Sequence, residues 1–481
     1  MSAKPRKERP QPHLESAFCK GCGRCVEACP KDCIHLGDAI DALSGLTPVT
    51  LDLDACNACG LCMDACPEPF GLHGADVQYE WEMSDPVETL GPRRTSSAKA
   101  PVDKPERLIP LPANLEPLLI KGTYASAIGA MLAGCRHFFG YPITPSTEGA
   151  ELMAKVLPEL DGVFVQACSE VATINHMYGT GGAGLRTMTF TSSPGLSLML
   201  EGISYMVGAQ VPGVIVNIMR GGPGLGNIGP AQSDIKLVCQ GLGHGNTHAI
   251  ALAPADPQEM LDLTMLAFEL SFKYRNPVLV LGDGYLGQVT GKVKLPEHLI
   301  EPGLPAWGVF GDAEHRGNLI SSILLQEADL EQFNLALNDK WARIAANEQR
   351  SALFDCDDAD VILVAANTPA RMVKAAVKTL REQGIKAGLF RPITLWPFPI
   401  DALKALLPQT RRLMVVEASL GQLENEMRLA LSHAEVAHPR IEHVQRSGGM
   451  LPQHDEIVAA VVNGESELFA EPAVVAGEVM A

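Results

Sequence analysis

Long apolar runs, aromatic residues and positive charge are all in short supply in this 481-residue chain. No run approaches the roughly 18 apolar residues that a membrane-crossing helix needs, so no span is expected. Aromatics make up 5%, and 38 Lys and Arg face 56 Asp and Glu, a net charge of −18. That balance argues against nucleic acid or an anionic membrane surface as a partner. The opening stretch, MSAKPRKERPQPHLES, is polar and basic with no apolar segment behind it, so a secretory signal is not expected either. Beyond residue 67 cysteine is thin as well. Cys135, Cys168, Cys239 and Cys356 stand alone and read as buried small hydrophobes. What remains is globular: 46% hydrophobic and 20% charged residues, enough for about three domains at roughly 150 residues each.

The other nine of the 13 cysteines lie before residue 67. Cys19, Cys22, Cys25 and Cys29 precede Pro30, and Cys56, Cys59, Cys62 and Cys66 precede Pro67, so C-x2-C-x2-C-x3-C-P occurs twice. This is the bacterial iron–sulfur spacing. Three thiolates at three-residue steps wrap one cubane, the fourth reaches the other cubane, and the proline stops the helix that would carry that fourth thiol away. Two [4Fe–4S] clusters follow, one on Cys19, Cys22, Cys25 and Cys66, the other on Cys56, Cys59, Cys62 and Cys29. Structural zinc favours two separated cysteine pairs instead. Cys33, just after the first run, reads as a packing residue. Such clusters imply oxygen sensitivity and a reducing cytoplasm.

Along the chain, residues 1–17 read as a flexible tail and 18–80 as a small α+β ferredoxin-like module. Residues 81–120, rich in proline, read as an extended linker. From 121 to 287 short apolar runs (VFVQA, RTMTFT, GVIVNIM, HAIALA, PVLVL) alternate with helical segments, the pattern of a doubly wound α/β domain with buried parallel strands. Residues 288–355 read as a connecting arm. Residues 356–481 form a second, smaller α/β domain, opened by VILVAAN.

Open α/β sheets bind ligands at the carboxyl ends of their strands. Three junctions there offer chemistry. In GYPITPSTE, residues 140–148, Pro142 and Pro145 stiffen a loop around Ile143 and Thr144, and Ser146 is placed to cap the next helix. In QACSEVATINHMYG, Glu170 opens a helix after a strand. The helix dipole alone favours an acid there; the functional reading is a carboxylate poised to hold a cofactor nitrogen. In MRGGPGLGNIGP, Arg220 leads a glycine-rich loop. Residues 224–229 match G-x-G-x-x-G formally, but Pro230 follows and no helix opens on the third glycine, which counts against a dinucleotide site. An arginine beside flexible backbone amides suits a small carboxylate. Asp283, in LGDGYLGQ, reads as a turn residue, and His244 as structural.

With these motifs in view, residues 120–445 resemble the α subunit of a 2-oxoacid:ferredoxin oxidoreductase. The carriers are GYPITPSTE, SEVATINHMYG, TSSPGLSLMLEGISYMVGAQVP, RGGPGLGN and KYRNPVLVLGDGYLGQ. Residues 19–67 resemble the two-cluster ferredoxin module that is a separate subunit in some relatives. The resemblance implies a pyrimidine-type thiamine-diphosphate domain followed by a transketolase-like C-terminal domain. It also implies oxidative decarboxylation of a 2-oxo acid with coenzyme A, giving an acyl-CoA, carbon dioxide and reduced ferredoxin. By the same resemblance Glu170 binds the aminopyrimidine ring of thiamine. Thr144, with Pro142 and Ile143, lies near cofactor and substrate, and Arg220 grips the substrate carboxylate. Thiamine pyrophosphate and Mg²⁺ would be held by a β subunit, leaving this chain inactive alone; a γ subunit is a further candidate partner. Many 2-oxoglutarate-type relatives continue the arginine with GGPST. Here Leu225 stands where that threonine would, which is more like branched-chain (3-methyl-2-oxobutanoate) enzymes and keeps 2-oxoglutarate only as the alternative substrate. A competing reading keeps the iron–sulfur module and makes the α/β part a non-catalytic scaffold for electron transfer or assembly. A transketolase-like enzyme without redox chemistry leaves eight ligand-spaced cysteines unexplained.

Overall fold

The computed structural model describes residues 10–41, 46–67, 71–74, 103–315 and 317–463. They divide into two compact units: residues up to 74 with Leu324–Leu330, and the remainder from 103 onward.

The small unit is organised by two short helices, Arg24–Ala28 and Leu61–Ala65. Each begins after a glycine at positive φ, Gly23 at 74° and Gly60 at 82°, a conformation that costs glycine nothing. Each ends before a Cys-Pro pair. Cys29 and Cys66 are extended, with ψ of 108° and 122°, because the following proline disfavours helical backbone. Proline thus turns the fourth thiol of each run off its helix. Pro12–Leu14 pairs antiparallel with Leu72–Gly74, and Ile34–Leu36 with Val49–Leu51. The proposed tail is therefore corrected for residues 12–14, whose backbone finds a ladder partner in residues 72–74; residues 1–9 lie outside the described residues.

The large unit holds two sheets. The first runs in the order Thr394–Trp396, Ile250–Leu252, Pro277–Asp283, Gly213–Met219, Thr187–Thr191, His137–Gly140 and Val163–Gln166. All pairs are parallel except that of Thr394–Trp396 with Ile250–Leu252. Gly213–Met219 and Pro277–Asp283 are buried throughout, as parallel strands covered on both faces must be. Val163–Gln166 is the sheet edge and is exposed at both ends, unlike the buried strand its apolar run suggests. The second sheet is ordered Ser351–Phe354, Ala387–Pro392, Val361–Val364, Arg412–Glu417 and Ile441–Gln445, parallel but for its first strand. One apolar core runs through both sheets, joining residues such as Ile215 and Leu279 to Phe390 and Val415.

Three expected boundaries shift. The second half of the linker is not free: Arg107–Pro110 pairs with His298–Glu301, and Leu118–Lys121 with Thr290–Val293. Residues 81–102 of the linker lie outside the described residues. The connecting arm therefore contributes strands at 290–293 and 298–301, a helix at Glu327–Asn347, and Ser351–Phe354 as the edge of the second sheet. The C-terminal domain also returns Thr394–Trp396 to the first sheet; residues 464–481 lie outside the described residues.

Asp283 joins the two sheets. Its carboxylate accepts from the backbone of Tyr285 (3.0 Å) and Leu286 (2.9 Å), and from both the N–H (3.0 Å) and hydroxyl (2.9 Å) of Thr368. Burial pushes its pKa up, and these donors oppose that rise. The expected turn residue is thus a helix cap and a joint. Among the described residues no helix is long and apolar enough to cross a membrane.

Candidate active site and cysteine cavities

In the small unit, Cys19, Cys22, Cys25 and Cys66 line one pocket. Cys29, Cys56, Cys59 and Cys62 line another, with Cys33 among them. None of them is in a disulfide. Burial, reinforced by neighbouring Cys19, pushes the Cys25 thiol up to about 11, and burial also raises Cys62. Thiols so crowded ionise together only around a cation, and the donor set, four sulfurs per cavity plus Cys33, fits an iron–sulfur cluster. Backbone N–H groups already point at sulfur, from Val49 to Cys19 and from Ala58 to Cys56, each at 3.4 Å.

In the large unit the chemistry gathers at the carboxyl ends of the first sheet's strands. Arg220 follows Gly213–Met219. Its Nη1 donates to the Thr144 carbonyl at 2.7 Å and its Nη2 to the Leu225 carbonyl at 3.2 Å. The guanidinium is largely buried, its Nε has no partner, and no carboxylate among the described residues pairs with it. The structure thus brings Arg220 and Thr144 together, but through the Thr144 backbone. The Thr144 side chain is exposed, as is Pro142, while Ile143 is half-buried. Ser146 does not cap the helix Thr147–Val156. Its hydroxyl donates back to the Ile143 carbonyl at 2.8 Å, closing the loop on itself.

The glycine-rich loop curls back through Asn227 N–H to the Gly221 carbonyl (3.0 Å) and Gly221 N–H to the Gly229 carbonyl (3.2 Å). Gly226 sits at φ 52°, where a Cβ would collide with the Gly221 carbonyl. The next helix opens only at Ile235. Leu225 stands 80% exposed at the loop tip.

Glu170 is the first residue of the helix Glu170–Gly182, whose cap Ser169 accepts from Ala172 N–H at 3.2 Å. It is 5% exposed, and its carboxylate accepts no hydrogen bond from the described residues. The space beside it exists because residue 195 is glycine. A Cβ there would lie 2.6 Å from Glu170 Oε1 and collide with the Thr191 hydroxyl, itself buried without a partner.

Two features gain a role only in the structure. One is Gly195, which the motif TSSPGLS contains without a role. The other is the polar group beneath Arg220: Ser193 Oγ accepts from the Arg220 N–H (3.1 Å) and donates to Asp234 (2.6 Å), Asn217 donates to Asp234 (2.8 Å), and Ser233 donates to the Arg220 carbonyl (2.7 Å). Burial raises the Asp234 pKa, and these donors oppose it. Gly195 and Ser193 share the first turn of the helix Ser193–Gly208. That turn is a common floor, touching Glu170 through one residue and Arg220 through the other.

His244 is structural, and so is Asn318, the asparagine downstream of the GDG at 282–284. His244 meets Ser204 and the edge of Tyr205. Asn318 donates to the carbonyls of Ala306 and Gly308, both at 2.7 Å. Cys135, Cys239 and Cys356 are buried as expected, but Cys168 is exposed, because it lies in the turn between an edge strand and its helix.

Known proteins match three parts of this chain. Residues 128–305 match the model described as pyruvate flavodoxin/ferredoxin oxidoreductase, thiamine diphosphate-binding. Residues 359–457 match pyruvate:ferredoxin oxidoreductase core domain II, and 18–69 a 4Fe-4S dicluster domain. The ketoisovalerate oxidoreductase subunit VorB of Methanothermobacter thermautotrophicus is 46% identical over 352 residues, 72% of this chain and 98% of that protein. The 2-oxoglutarate synthase subunit KorA of Methanocaldococcus jannaschii is 35% identical over 71% of this chain and 98% of its own length. A solved 2-oxoglutarate:ferredoxin oxidoreductase from Magnetococcus marinus, with 2-oxoglutarate, coenzyme A and succinyl-CoA bound, superposes with a TM-score of 0.65 at 26% identity, over 72% of this chain and 65% of that one.

Proposed function

We propose how this chain works from the premise that it belongs to the 2-oxoacid:ferredoxin oxidoreductase family, as an α subunit fused to an iron–sulfur module. It is the catalytic α subunit of a multi-subunit enzyme that oxidatively decarboxylates a 2-oxo acid by thiamine and coenzyme A chemistry. Membership in a catalytic family sets aside the scaffold reading.

The substrate we assign is 3-methyl-2-oxobutanoate. The observation that carries this is Arg220, a largely buried cation with an unpartnered Nε and no carboxylate partner among the described residues, in a loop whose tip is the apolar Leu225. One carboxylate suits the guanidinium, and a branched alkyl chain suits the leucine. The nearer likeness to a ketoisovalerate enzyme than to 2-oxoglutarate synthases supports the same reading.

Bound thiamine diphosphate would supply the nucleophile and electron sink for the carbon chemistry. Glu170 would hold the proton of its aminopyrimidine nitrogen, which fits a buried carboxylate left without a donor. Thr144 would border substrate and cofactor alongside Pro142 and Ile143. Mg²⁺ and the pyrophosphate do not fit Asp283, whose oxygens are taken by Tyr285, Leu286 and Thr368. They fall to a β subunit, with a γ subunit as a further partner. Two [4Fe–4S] clusters, on the cysteine sets Cys19, Cys22, Cys25, Cys66 and Cys56, Cys59, Cys62, Cys29, would pass electrons to ferredoxin or a similar acceptor. Cysteines in such number outside disulfides suit the cytoplasm.

The complex purified anaerobically through this chain should reduce a dye with 3-methyl-2-oxobutanoate and coenzyme A, at a kcat/KM at least about 10-fold above that with 2-oxoglutarate. Preference for 2-oxoglutarate would overturn the substrate assignment.

Gly195→Ala tests the floor. A methyl there must displace the Glu170 carboxylate, and overpacking of this kind costs about 1–3 kcal/mol. Thiamine diphosphate should bind the complex about 10- to 100-fold more weakly, with the iron content unchanged. Unaltered thiamine affinity would refute the role.

A further inference from the structure

We propose that Cys33 is a reserve ligand of the second cluster, able to take the iron that Cys29 holds. This rests on the two-cluster reading above. The cavities differ in one respect: the first is lined by four thiols, the second by five, Cys29, Cys33, Cys56, Cys59 and Cys62. The backbone explains why. After Pro30 the chain turns at Asp32, which has φ of 53° and donates its N–H to the Cys29 carbonyl. The turn brings Cys33 back beside Cys29 before the strand Ile34–Leu36 begins. The two Sγ atoms lie 3.3 Å apart, and the Cys33 N–H reaches Cys29 Sγ at 3.5 Å. Cys56 lines the same pocket as this pair. It is 5% exposed. A cysteine that served packing alone would turn its sulfur into apolar side chains; this one turns it toward sulfur.

A cubane offers one iron to each of four thiolates. A fifth sulfur within van der Waals contact of one ligand can reach the same iron, at the roughly 2.3 Å of a metal–thiolate bond, by a small side-chain rotation. The exchange is balanced without oxidant or reductant. The iron–sulfur bond to Cys29 breaks, that to Cys33 forms, and the Cys33 thiol proton passes to Cys29. Because Cys29 would no longer carry the N–H contact as a ligand, the exchanged cluster should have a different potential.

The test uses the anaerobically purified complex carrying Cys29→Ala, Cys33→Ala or both, read by iron and sulfide analysis and by electron paramagnetic resonance of the reduced protein. Wild type should hold about eight iron atoms on this chain. Fewer would refute the two-cluster reading itself. Given eight in wild type, Cys29→Ala should retain about eight with altered resonances, and Cys33→Ala about eight with resonances unchanged. The double variant should lose at least one iron. Iron loss in Cys29→Ala equal to that of the double variant overturns the proposal, as does iron loss in Cys33→Ala alone. Should Cys29→Ala be insoluble, Cys29→Ser gives the same comparison. Its spectrum should change when Cys33→Ala is added, and identical spectra with and without Cys33 overturn the proposal.

Discussion

Glu170→Gln is expected to lower kcat by about 10²- to 10⁴-fold, the range in which a positioned proton-holding group contributes. The change keeps shape and burial and removes the charge. Glutamine cannot stabilise a proton on the ring nitrogen, so the loss falls on chemistry, at about 1.4 kcal/mol per decade. The cluster thiols belong to the other unit of the chain, so iron content and cluster resonances should stay as in wild type. Stability should move the opposite way. A carboxylate 5% exposed and without a donor among the described residues is a burden on the subunit, so the variant α subunit should melt at the same temperature as wild type or higher. Loss of activity with gain of stability marks a residue kept for function. A rate within twofold of wild type would refute the assignment.

Arg220→Met is expected to lower kcat/KM for the 2-oxo acid by about 10²- to 10³-fold, within the 2–5 kcal/mol that losing one partner of a buried charged pair costs. Most of the loss should appear in KM, since the carboxylate is gripped before chemistry begins. Arg220→Lys should recover only part of it, because an ammonium cannot replace the two-pronged guanidinium. The same side chain also ties the Thr144 and Leu225 carbonyls together, so a purely structural role must be distinguished. If Arg220 only braced the loops, kcat would fall with KM flat, and lysine and methionine would behave alike.

The legible parts of this protein are those whose chemistry is local. Two repeats of one cysteine spacing place eight thiols at two cavities, because proline at 30 and 67 dictates the backbone of the preceding cysteine. The buried strands Gly213–Met219 and Pro277–Asp283 announce themselves as continuous apolar runs. The roles that the motifs leave unassigned depend on distant segments meeting. Gly195 looks like one more glycine in a helix until Glu170, 25 positions earlier in the chain, is found to need its space. Asp234 sits in a polar stretch, and its value lies in Ser193, Asn217 and Ser233 converging on it. Thr394–Trp396 is too short to carry a periodic signal, yet it crosses to the first sheet. Cys33 looks like packing because the turn at Asp32 that aims it at Cys29 has no sequence mark beyond one aspartate.

The central claim is that this chain holds only the ring-binding half of a thiamine site. The most direct test is dye reduction by the α subunit alone, anaerobic and iron-replete, with thiamine diphosphate, Mg²⁺, coenzyme A and 3-methyl-2-oxobutanoate all supplied. The account predicts no turnover until the β subunit is added, and turnover abolished again by omitting either thiamine diphosphate or coenzyme A. Steady turnover by the single chain would contradict it.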